Sequence, residues 1–367
     1  MKNQNNLTSI QLIFFVIQTQ IGVGVLGLPF NVFSVSKGDA WISILLAGAV
    51  VQILMIGFWI LGRRFPTKSL FQYSKQLVGK VMGTFINVSY IVYGLLVTAL
   101  VLMYSTAIIS SWALTLTPKW IIMLLLIGTA VYLGREKLSQ ISDVYVVVSS
   151  LIFFLIIISV LVLILYPVEW RYLFPIGHSG ATNILKGVKE AYFSMLGFEL
   201  LLIIFPYFQN NGERSILYSV SFANLFVTST YTFLTIVSLV TFSPEELKIV
   251  PQPVLYYVKS LYLQIVERID LVFVSLWVVN VITSLTSYLY LSTEGSTYTI
   301  KRFNRGTYTM LFGILAYLIA LIPGKENEME LFNKLVISLS YFYIVVIPFS
   351  LLIISFILKK NERGKET

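Results

Sequence analysis

The residues that could carry chemistry are few, and the most unusual is an acidic side chain inside an apolar stretch. Glu199 follows Ser194-Met195-Leu196-Gly197-Phe198, and Pro206 lies further along the same stretch. A carboxylate in a long apolar segment is costly to bury and by default indicates a functional site. Structural pairing of Glu199 with a nearby amide is the alternative. Gly197 beside it would free the backbone at that point.

Catalysis and metal binding have no comparable support. The chain has no cysteine, and its single histidine, His178, lies next to Gly177 and Gly180, where a loop position is expected. GxSxG, Walker A and HExxH motifs are absent, and the GxGxxG that begins at Gly22 follows no strand. We therefore predict that the protein is not an enzyme and needs no cofactor or resident metal.

A second unusual feature is the glycine-rich segment near the N-terminus. Gly22, Gly24 and Pro29 lie within one apolar stretch. Each glycine costs a helix roughly 1 kcal/mol relative to alanine, and proline removes a backbone donor. Unwound backbone inside a bilayer survives only where protein or a wet cavity satisfies it. We therefore predict that residues 22–29 and the segment around Glu199 interrupt membrane-spanning helices, with close packing of small residues as the alternative.

The two interruptions together predict what would be bound. Unpaired N–H groups and helix N-termini favour a carboxylate, whereas exposed carbonyls favour a cation or an ammonium group. Paired broken segments in the two halves of a membrane protein indicate a site near the midplane of the bilayer. A small zwitterion such as an amino acid fits both demands.

Polar stripes on other predicted helices are candidate walls for that site. Asn280, Thr283 and Ser284 share one face of the predicted eighth span, and Tyr93 with Val97 would shape the pocket from the third. A similar stripe runs through residues 221–235. Interhelical hydrogen bonding explains each stripe taken alone, but beside broken helices the stripes become cavity walls. The predicted lining consists of Gly22, Gly24, Tyr93, Val97, Gly197, Glu199, Asn280, Thr283 and Ser284.

The elements that must position these residues are membrane helices. Apolar residues make up 57% of the chain and charged residues 12%, and the mean hydropathy is +0.84; soluble proteins carry about 25% charged residues. A spanning helix needs about 20 apolar residues. We predict a single all-α membrane domain over residues 1–367, without a cleaved signal peptide. Its ten predicted spans are 10–34, 40–61, 82–110, 118–134, 141–166, 184–206, 214–241, 266–293, 307–323 and 333–358.

Charge predicts the orientation of the domain. Ten spans place both termini on one side, and ten of the 26 Lys and Arg residues fall on the opposite side, which leaves 16 with the termini. Positive residues accumulate in cytoplasmic loops, so we predict that both termini are cytoplasmic. Because the positive residues are spread over several loops, they indicate anionic lipid headgroups, not nucleic acid, as the partner.

The order of several motifs resembles a known family. Gln20 to Pro29 (QIGVGVLGLP) resembles the first-span signature of the amino acid–polyamine–organocation transporter superfamily. Within it, the whole chain resembles the B subunit of GerA-type nutrient germinant receptors of spore-forming Bacilli, a spore germination permease-like family. The matching segments are 194–199, 65–71, 138–143, Glu267-Arg268 and Trp277.

This resemblance implies a ten-span fold of the LeuT type, a 5+5 inverted repeat with interrupted helices 1 and 6. It implies a nutrient sensor in the inner membrane of the dormant spore, working with A and C subunits, with the germinant between spans 1, 3, 6 and 8. The residues that correspond here are Gly22, Gly24, Tyr93, Val97, Gly197, Glu199, Thr283 and Ser284. An autonomous cation-coupled amino-acid permease is the alternative. Some proton-coupled relatives carry a lysine in span 5; this chain has none there, and Ser149 and Ser150 are its interior polar candidates, which leaves Na⁺ or H⁺ coupling open.

Overall fold

The computed structural model describes residues 7–261 and 267–362, and all regular secondary structure in that part of the chain is helical. Within these described residues, sixteen α-helices follow one another, joined in places by short 3₁₀ turns. They are α1 (Ser9–Gln20), α2 (Gly24–Ser36), α3 (Ala40–Arg64), α4 (Leu70–Val78), α5 (Lys80–Trp112), α6 (Lys119–Gly134), α7 (Leu138–Val148), α8 (Ser150–Leu165), α9 (Ala181–Ser194), α10 (Leu201–Ile204), α11 (Glu213–Thr241), α12 (Pro253–Ser260), α13 (Ile269–Thr299), α14 (Arg305–Leu321), α15 (Glu326–Tyr341) and α16 (Ile347–Ile357).

These helices form the ten predicted spans, six of them from one helix each. Span 2 is α3, span 3 is α5, span 4 is α6, span 7 is α11, span 8 is α13 and span 9 is α14. The remaining spans are each made of two helices: α1 with α2, α7 with α8, α9 with α10 and α15 with α16. By length and composition alone, six helical stretches of the described chain qualify as spans, or seven with the bent pair around Gly197. The lower count arises because α2 and α3 are joined without a gap and because α1, α6 and α14 are short.

A tight turn at Lys37–Asp39 separates the first two spans. The hydroxyl oxygens of Ser36 and Ser43 lie 2.8 Å apart, although seven residues of straight helix would cover about 10.5 Å. Gly187 of α9 faces both hydroxyls. Since the chain reverses here, α2 and α3 form a helical hairpin, and α9 packs along it.

The two ends of the bundle can be told apart by their contacts. Asn211 Nδ2 donates to the carbonyl of Leu7, and Arg64 donates to the carbonyls of Ser355 and Lys360. We call this the termini end, because α1 begins and α16 ends there. The opposite end, which holds the 37–39 turn, we call the loop end.

Most predicted boundaries agree with the helices to within a few residues, but two were wrong. Span 8 continues to Thr299 and span 10 begins at Glu326, because polar residues at both helix ends were assigned to loops. Two helices between spans, α4 and α12, were not predicted. The predicted start of span 8 at residue 266 lies outside the described residues, as do Lys2, Arg363 and Lys365 of the charge count.

Close packing of α5 against α13 forms the centre of the bundle. Gly94 of α5 faces Ser292, and Gly295 of α13 faces Ile91. Small residues at such contacts let two membrane helices approach closely and gain dispersion energy. Large apolar side chains such as Ile53 and Ile314 lie on the outside of the bundle, where lipid surrounds a membrane protein.

Candidate ligand-binding site

The interruption of span 1 is real but shorter than predicted. Helix α1 ends at Gln20, Ile21 leaves the helical region with ψ 88°, and α2 begins at Gly24. Pro29, which was predicted to lie in unwound chain, is inside α2. At the sixth position of α2 the proline removes the hydrogen bond that a backbone N–H would donate to the carbonyl of Val25.

The interruption of span 6 lies where the sequence placed it. Helix α9 ends at Ser194, Gly197 has φ +123°, and a 3₁₀ turn over Phe198–Leu200 precedes α10. The chain axis bends by 59° across this break. Glycine is required at position 197 because a residue with a Cβ atom rarely adopts this φ.

The two breaks are in direct contact. A Cβ atom on Gly197 would lie 2.7 Å from the carbonyl oxygen of Thr19, and one on Gly24 would lie 2.9 Å from the Cα of Ser194. Gln20 Nε2 donates to the carbonyl of Met195 over 2.9 Å. The backbones of spans 1 and 6 therefore meet at the level of the breaks, as the sequence predicted.

Side chains from spans 7 and 8 satisfy the carbonyls that the breaks release. The Tyr231 hydroxyl lies 2.8 Å from the Gln20 carbonyl and 3.1 Å from the Ser194 carbonyl, so one side chain binds the ends of both α1 and α9. Trp277 Nε1 donates to the carbonyl of Gly22, and the Ser284 hydroxyl lies 3.3 Å from the Gln18 carbonyl. With these acceptors engaged, the N–H groups at the start of α2 are the backbone groups still suited to a ligand, and they suit an anionic one.

Gln18 joins spans 1, 5 and 8. Its Nε2 donates to the Ser149 hydroxyl over 2.9 Å, and its Oε1 accepts from the Thr283 hydroxyl over 2.7 Å. Both atoms of the amide are thus used within the protein. Ser150, the other polar residue predicted inside span 5, is exposed on the outer surface; the prediction of an interior position for it was wrong.

Glu199 lies in a ring of tyrosines on the other side of the break. Its Oε1 accepts from the Tyr288 hydroxyl over 2.7 Å and faces the Tyr93 hydroxyl at 3.4 Å, and its Oε2 accepts from the Gly197 N–H over 2.7 Å. The side chain is buried, with 1% of its surface exposed. Because the carboxylate binds the N–H of Gly197, it also stabilises the break itself.

An irregular turn in span 10 adds to this tyrosine ring. Residues Phe342–Val346 form a π-helical segment between α15 and α16, a feature that frequently accompanies functional sites. The segment leaves the Tyr343 carbonyl free to accept from the Tyr90 hydroxyl. The Tyr343 ring stacks on that of Tyr93, with centroids 4.8 Å apart.

The structure brings most of the predicted site residues together. Gly22 contacts Ser284, and Tyr93 contacts Glu199. Val97, one turn beyond Tyr93, is buried, but no polar contact connects it to the breaks. Asn280 is fully buried on α13, and neither its Oδ1 nor its Nδ2 has a hydrogen-bond partner. A buried amide without partners is rare in proteins and indicates a place where a ligand or water binds.

Several important residues were missing from the predicted lining. Tyr288 continues the stripe of Asn280 and Ser284 one turn further, so the spacing of the stripe could have identified it. Gln18 and Gln20 are amides directly before the glycine motif, which is itself unusual in a membrane span. No sequence signal pointed to Tyr343, because its role depends on the π segment.

The remaining space at the breaks is small. A hollow of about 20 Å³ lies beside Ile21 and Val25, with Trp277 and Ile152 on its far side. This is too small for an amino acid. Since the backbones around Gly24 and Gly197 are also in contact, the broken segments must separate to admit a solute.

The sequence has relatives of known family. A family model described as "Spore germination protein" matches residues 6–329. Spore germination protein GerQB of Bacillus cereus is 26% identical over 343 residues, covering 91% of this chain and 92% of the relative. Spore germination protein YndE of Bacillus subtilis (strain 168) is 24% identical over 367 residues, covering 99% of each chain.

Solved structures share the fold. MhsT, solved in complex with L-phenylalanine, superposes with a TM-score of 0.68 at 15% identity, covering 92% of this chain and 88% of the other. A Na⁺-coupled sialic acid symporter, solved in a substrate-bound outward-open state, gives a TM-score of 0.64 at 11% identity, covering 93% and 79%. At these identities the likeness establishes the LeuT-type fold and confirms the predicted multi-pass membrane architecture.

Proposed function

This chain belongs to the spore germination protein family, and on that premise we propose that it is the nutrient-sensing membrane subunit of a germinant receptor. In this proposal a small nutrient, most simply an amino acid, binds between the breaks of spans 1 and 6. Binding triggers germination through partner subunits.

The single observation that carries the proposal is the direct contact of two broken membrane helices beside a buried carboxylate. Breaking two helices inside a bilayer costs backbone hydrogen bonds, and the chain restores them with Tyr231, Trp277 and Glu199. Such an arrangement supplies an anion-binding helix terminus at Gly24 and unpartnered amide atoms at Asn280 and Gln20. These are the groups that recognise the two charged ends of an amino acid.

Sensing follows from the way the site is closed. The contacts between Gly24 and Ser194 and between Gly197 and Thr19 hold the broken segments together. A nutrient therefore binds only the conformation in which the broken segments are apart. It shifts the population toward that conformation by no more than its difference in affinity for the two states.

We propose that A and C subunits receive this conformational change and that the receptor lies in the inner membrane of the dormant spore. The names of two relatives from Bacillus subtilis (strain 168), spore germination proteins B2 and A2, support a set of parallel receptor systems. In this proposal the termini end faces the spore core and the loop end receives the nutrient.

Spores in which this chain belongs to the only intact receptor test the proposal. We expect one class of nutrient to cause germination and the same nutrient to raise the melting temperature of the purified protein. The control is deletion of the gene in a strain that has no other receptor. If those spores still germinate normally with the same nutrients, the proposal is contradicted.

A second candidate, a cation-coupled amino-acid permease, is favoured by the shared fold with a Na⁺-coupled symporter. The hydrogen bonds of Gln18 argue against it. The hydroxyls of Ser149 and Thr283, which could otherwise bind a coupling cation, are already engaged by the Gln18 amide. Proteoliposomes separate the two functions. The sensor predicts nutrient binding without accumulation when Na⁺ or proton gradients are applied, whereas sustained gradient-driven uptake of the bound nutrient would establish the permease.

A further inference from the structure

A second and larger hollow lies at the loop end, away from the breaks. Its volume is about 300 Å³, which is within the range of small-molecule sites in proteins. Three connections enclose it: the 37–39 turn, the segment around His178 and the segment 242–248 that follows α11. The hollow therefore exists only because the tertiary fold brings three separate connections together, and no single sequence motif predicts it.

The floor of this hollow consists of buried apolar side chains. Phe33 of α2, Leu239 of α11 and Leu247 lie at its base, and each has no more than 2% of its surface exposed. An apolar body of a few carbon atoms would lose contact with water by resting on this floor.

The rim carries charges of both signs, two lysines and two carboxylates, and both carboxylates already have partners within the protein. Lys37, Lys248 and His178 line it. Of the two acidic residues there, Asp39 already accepts hydrogen bonds from the Gly177 N–H and from the Ser179 N–H and hydroxyl. The other, Glu245, pairs with Lys248 over 2.6 Å.

Lys37 has no carboxylate partner among the described residues. Its Nζ donates to the carbonyl of Ser34 over 3.1 Å and lies 5.4 Å from the centre of the Phe33 ring. A cation held above an apolar floor suits a ligand with a negative group and a hydrophobic body.

We propose that this hollow is a second binding site, distinct from the one at the breaks, for a small organic anion. The carboxylate or phosphate of the ligand pairs with Lys37 beside His178, and its apolar body lies on Phe33, Leu239 and Leu247. The inference does not depend on the proposed function, since it concerns other residues and a different end of the molecule.

The chain itself offers a specific reporter for the test. His178 is its only histidine, so protein labelled with ¹³C-histidine gives one imidazole signal, and that signal comes from the hollow. We use benzoate as the anionic probe and benzamide as its neutral isostere, in a neutral detergent. We expect a saturable shift of the His178 signal with benzoate and none with benzamide.

Substitutions then test which residues of the hollow bind benzoate. Lys37→Asn should weaken benzoate binding at least tenfold, and asparagine is chosen because Lys37 has φ +51°, which asparagine tolerates. Leu239→Trp should fill the hollow and abolish the shift. Lys334→Ala, at another exposed lysine of the loop end, is the matched control and should leave binding unchanged.

Four results would overturn the proposal. They are no benzoate shift at millimolar concentration, an equal shift with benzamide, unchanged binding in both Lys37→Asn and Leu239→Trp, or a shift caused by phosphatidylglycerol nanodiscs alone to which benzoate adds nothing. The last result would assign the site to a lipid headgroup.

Discussion

At the scale of single residues, Glu199 is the side chain with the most demanding environment. It is buried, and the Tyr288 hydroxyl and the Gly197 N–H each lie 2.7 Å from one of its oxygens. The same carboxyl group therefore stabilises an irregular backbone and organises the tyrosines that surround it. The sequence suggested a nearby amide as a structural partner for this residue, but the hydrogen bonds in fact come from tyrosines and from the backbone of the break.

Replacing Glu199 should separate its two roles. Glu199→Ala leaves two buried donors without an acceptor, at a cost of about 1–3 kcal/mol each, whereas Glu199→Gln keeps one oxygen. We expect melting temperatures in the order wild type, Glu199→Gln, Glu199→Ala, and loss of the nutrient response in Glu199→Ala. Glu330→Ala, an exposed glutamate on α15, is the control. A Glu199→Ala protein as stable and as responsive as wild type would remove Glu199 from the site.

Gly197 offers a second test at the same scale. Gly197 and Gly212 both have positive φ, +123° and +83°, but a Cβ atom at position 212 would meet nothing within 4 Å. Gly212→Ala should cost only the backbone strain of a Cβ-bearing residue at φ +83° and ψ 147°, about 1–3 kcal/mol. Gly197→Ala adds a collision with the Thr19 backbone, so we expect it to lose ligand binding and most folded protein on size-exclusion chromatography. Equal behaviour of the two variants would show that the contact between the breaks is not tight.

At the scale of elements, the broken spans are held by unbroken ones. Tyr231 of α11 and Trp277 and Ser284 of α13 bind carbonyls that α1 and α9 leave at their ends. The Gln18 amide extends the same arrangement to span 5. A change in the position of α1 must therefore break hydrogen bonds to three other spans, which gives the molecule two distinct arrangements instead of a continuum.

A double-mutant cycle can measure the contact between spans 1 and 8. A Cβ atom on Gly22 would lie 2.6 Å from the Ser284 hydroxyl oxygen. We expect Gly22→Ala to be strongly destabilising alone and much less so together with Ser284→Ala, with a coupling of roughly 0.5–3 kcal/mol in unfolding experiments. Gly27→Ala is the control, because its Cβ would meet the carbonyl of Pro251. Its effect should add to that of Ser284→Ala, and additivity of the Gly22 pair as well would contradict the predicted contact.

At the scale of the whole molecule, the charge distribution and the position of the hollows define two different ends. The predicted cytoplasmic excess of Lys and Arg lies at the termini end, whereas the hollow with Lys37 and His178 lies at the loop end. Solutes that arrive from outside the spore core would meet the loop end first. In the proposed receptor a nutrient would therefore pass the loop end before it reaches the site at the breaks.

Sidedness can be measured directly because the chain has no cysteine. Leu116, 97% exposed at the loop end, and Arg302, exposed at the termini end, are suitable positions for single cysteines. In intact cells we expect a membrane-impermeant maleimide to label Leu116→Cys at once and Arg302→Cys only after the membrane is opened. The reverse pattern would invert the orientation predicted from charge.

The sequence by itself determined that lipid surrounds much of this chain and where two of its spans break. Those conclusions depend on local properties: the length of apolar runs, the helix cost of Gly22 and Gly197, and the expense of Glu199 in lipid. The break in span 1 was predicted as too long because the sequence does not reveal how soon backbone hydrogen bonding resumes after Gly24.

Only the tertiary structure decided which polar groups meet. Gln18 with Ser149, Tyr231 with two helix ends, and Tyr288 with Glu199 are pairs separated by more than thirty residues in the chain. Hydrogen-bond partners depend on distance in space, which periodicity along one helix does not encode. The loop-end hollow is the extreme case, because three connections form it and each taken alone is an ordinary polar loop.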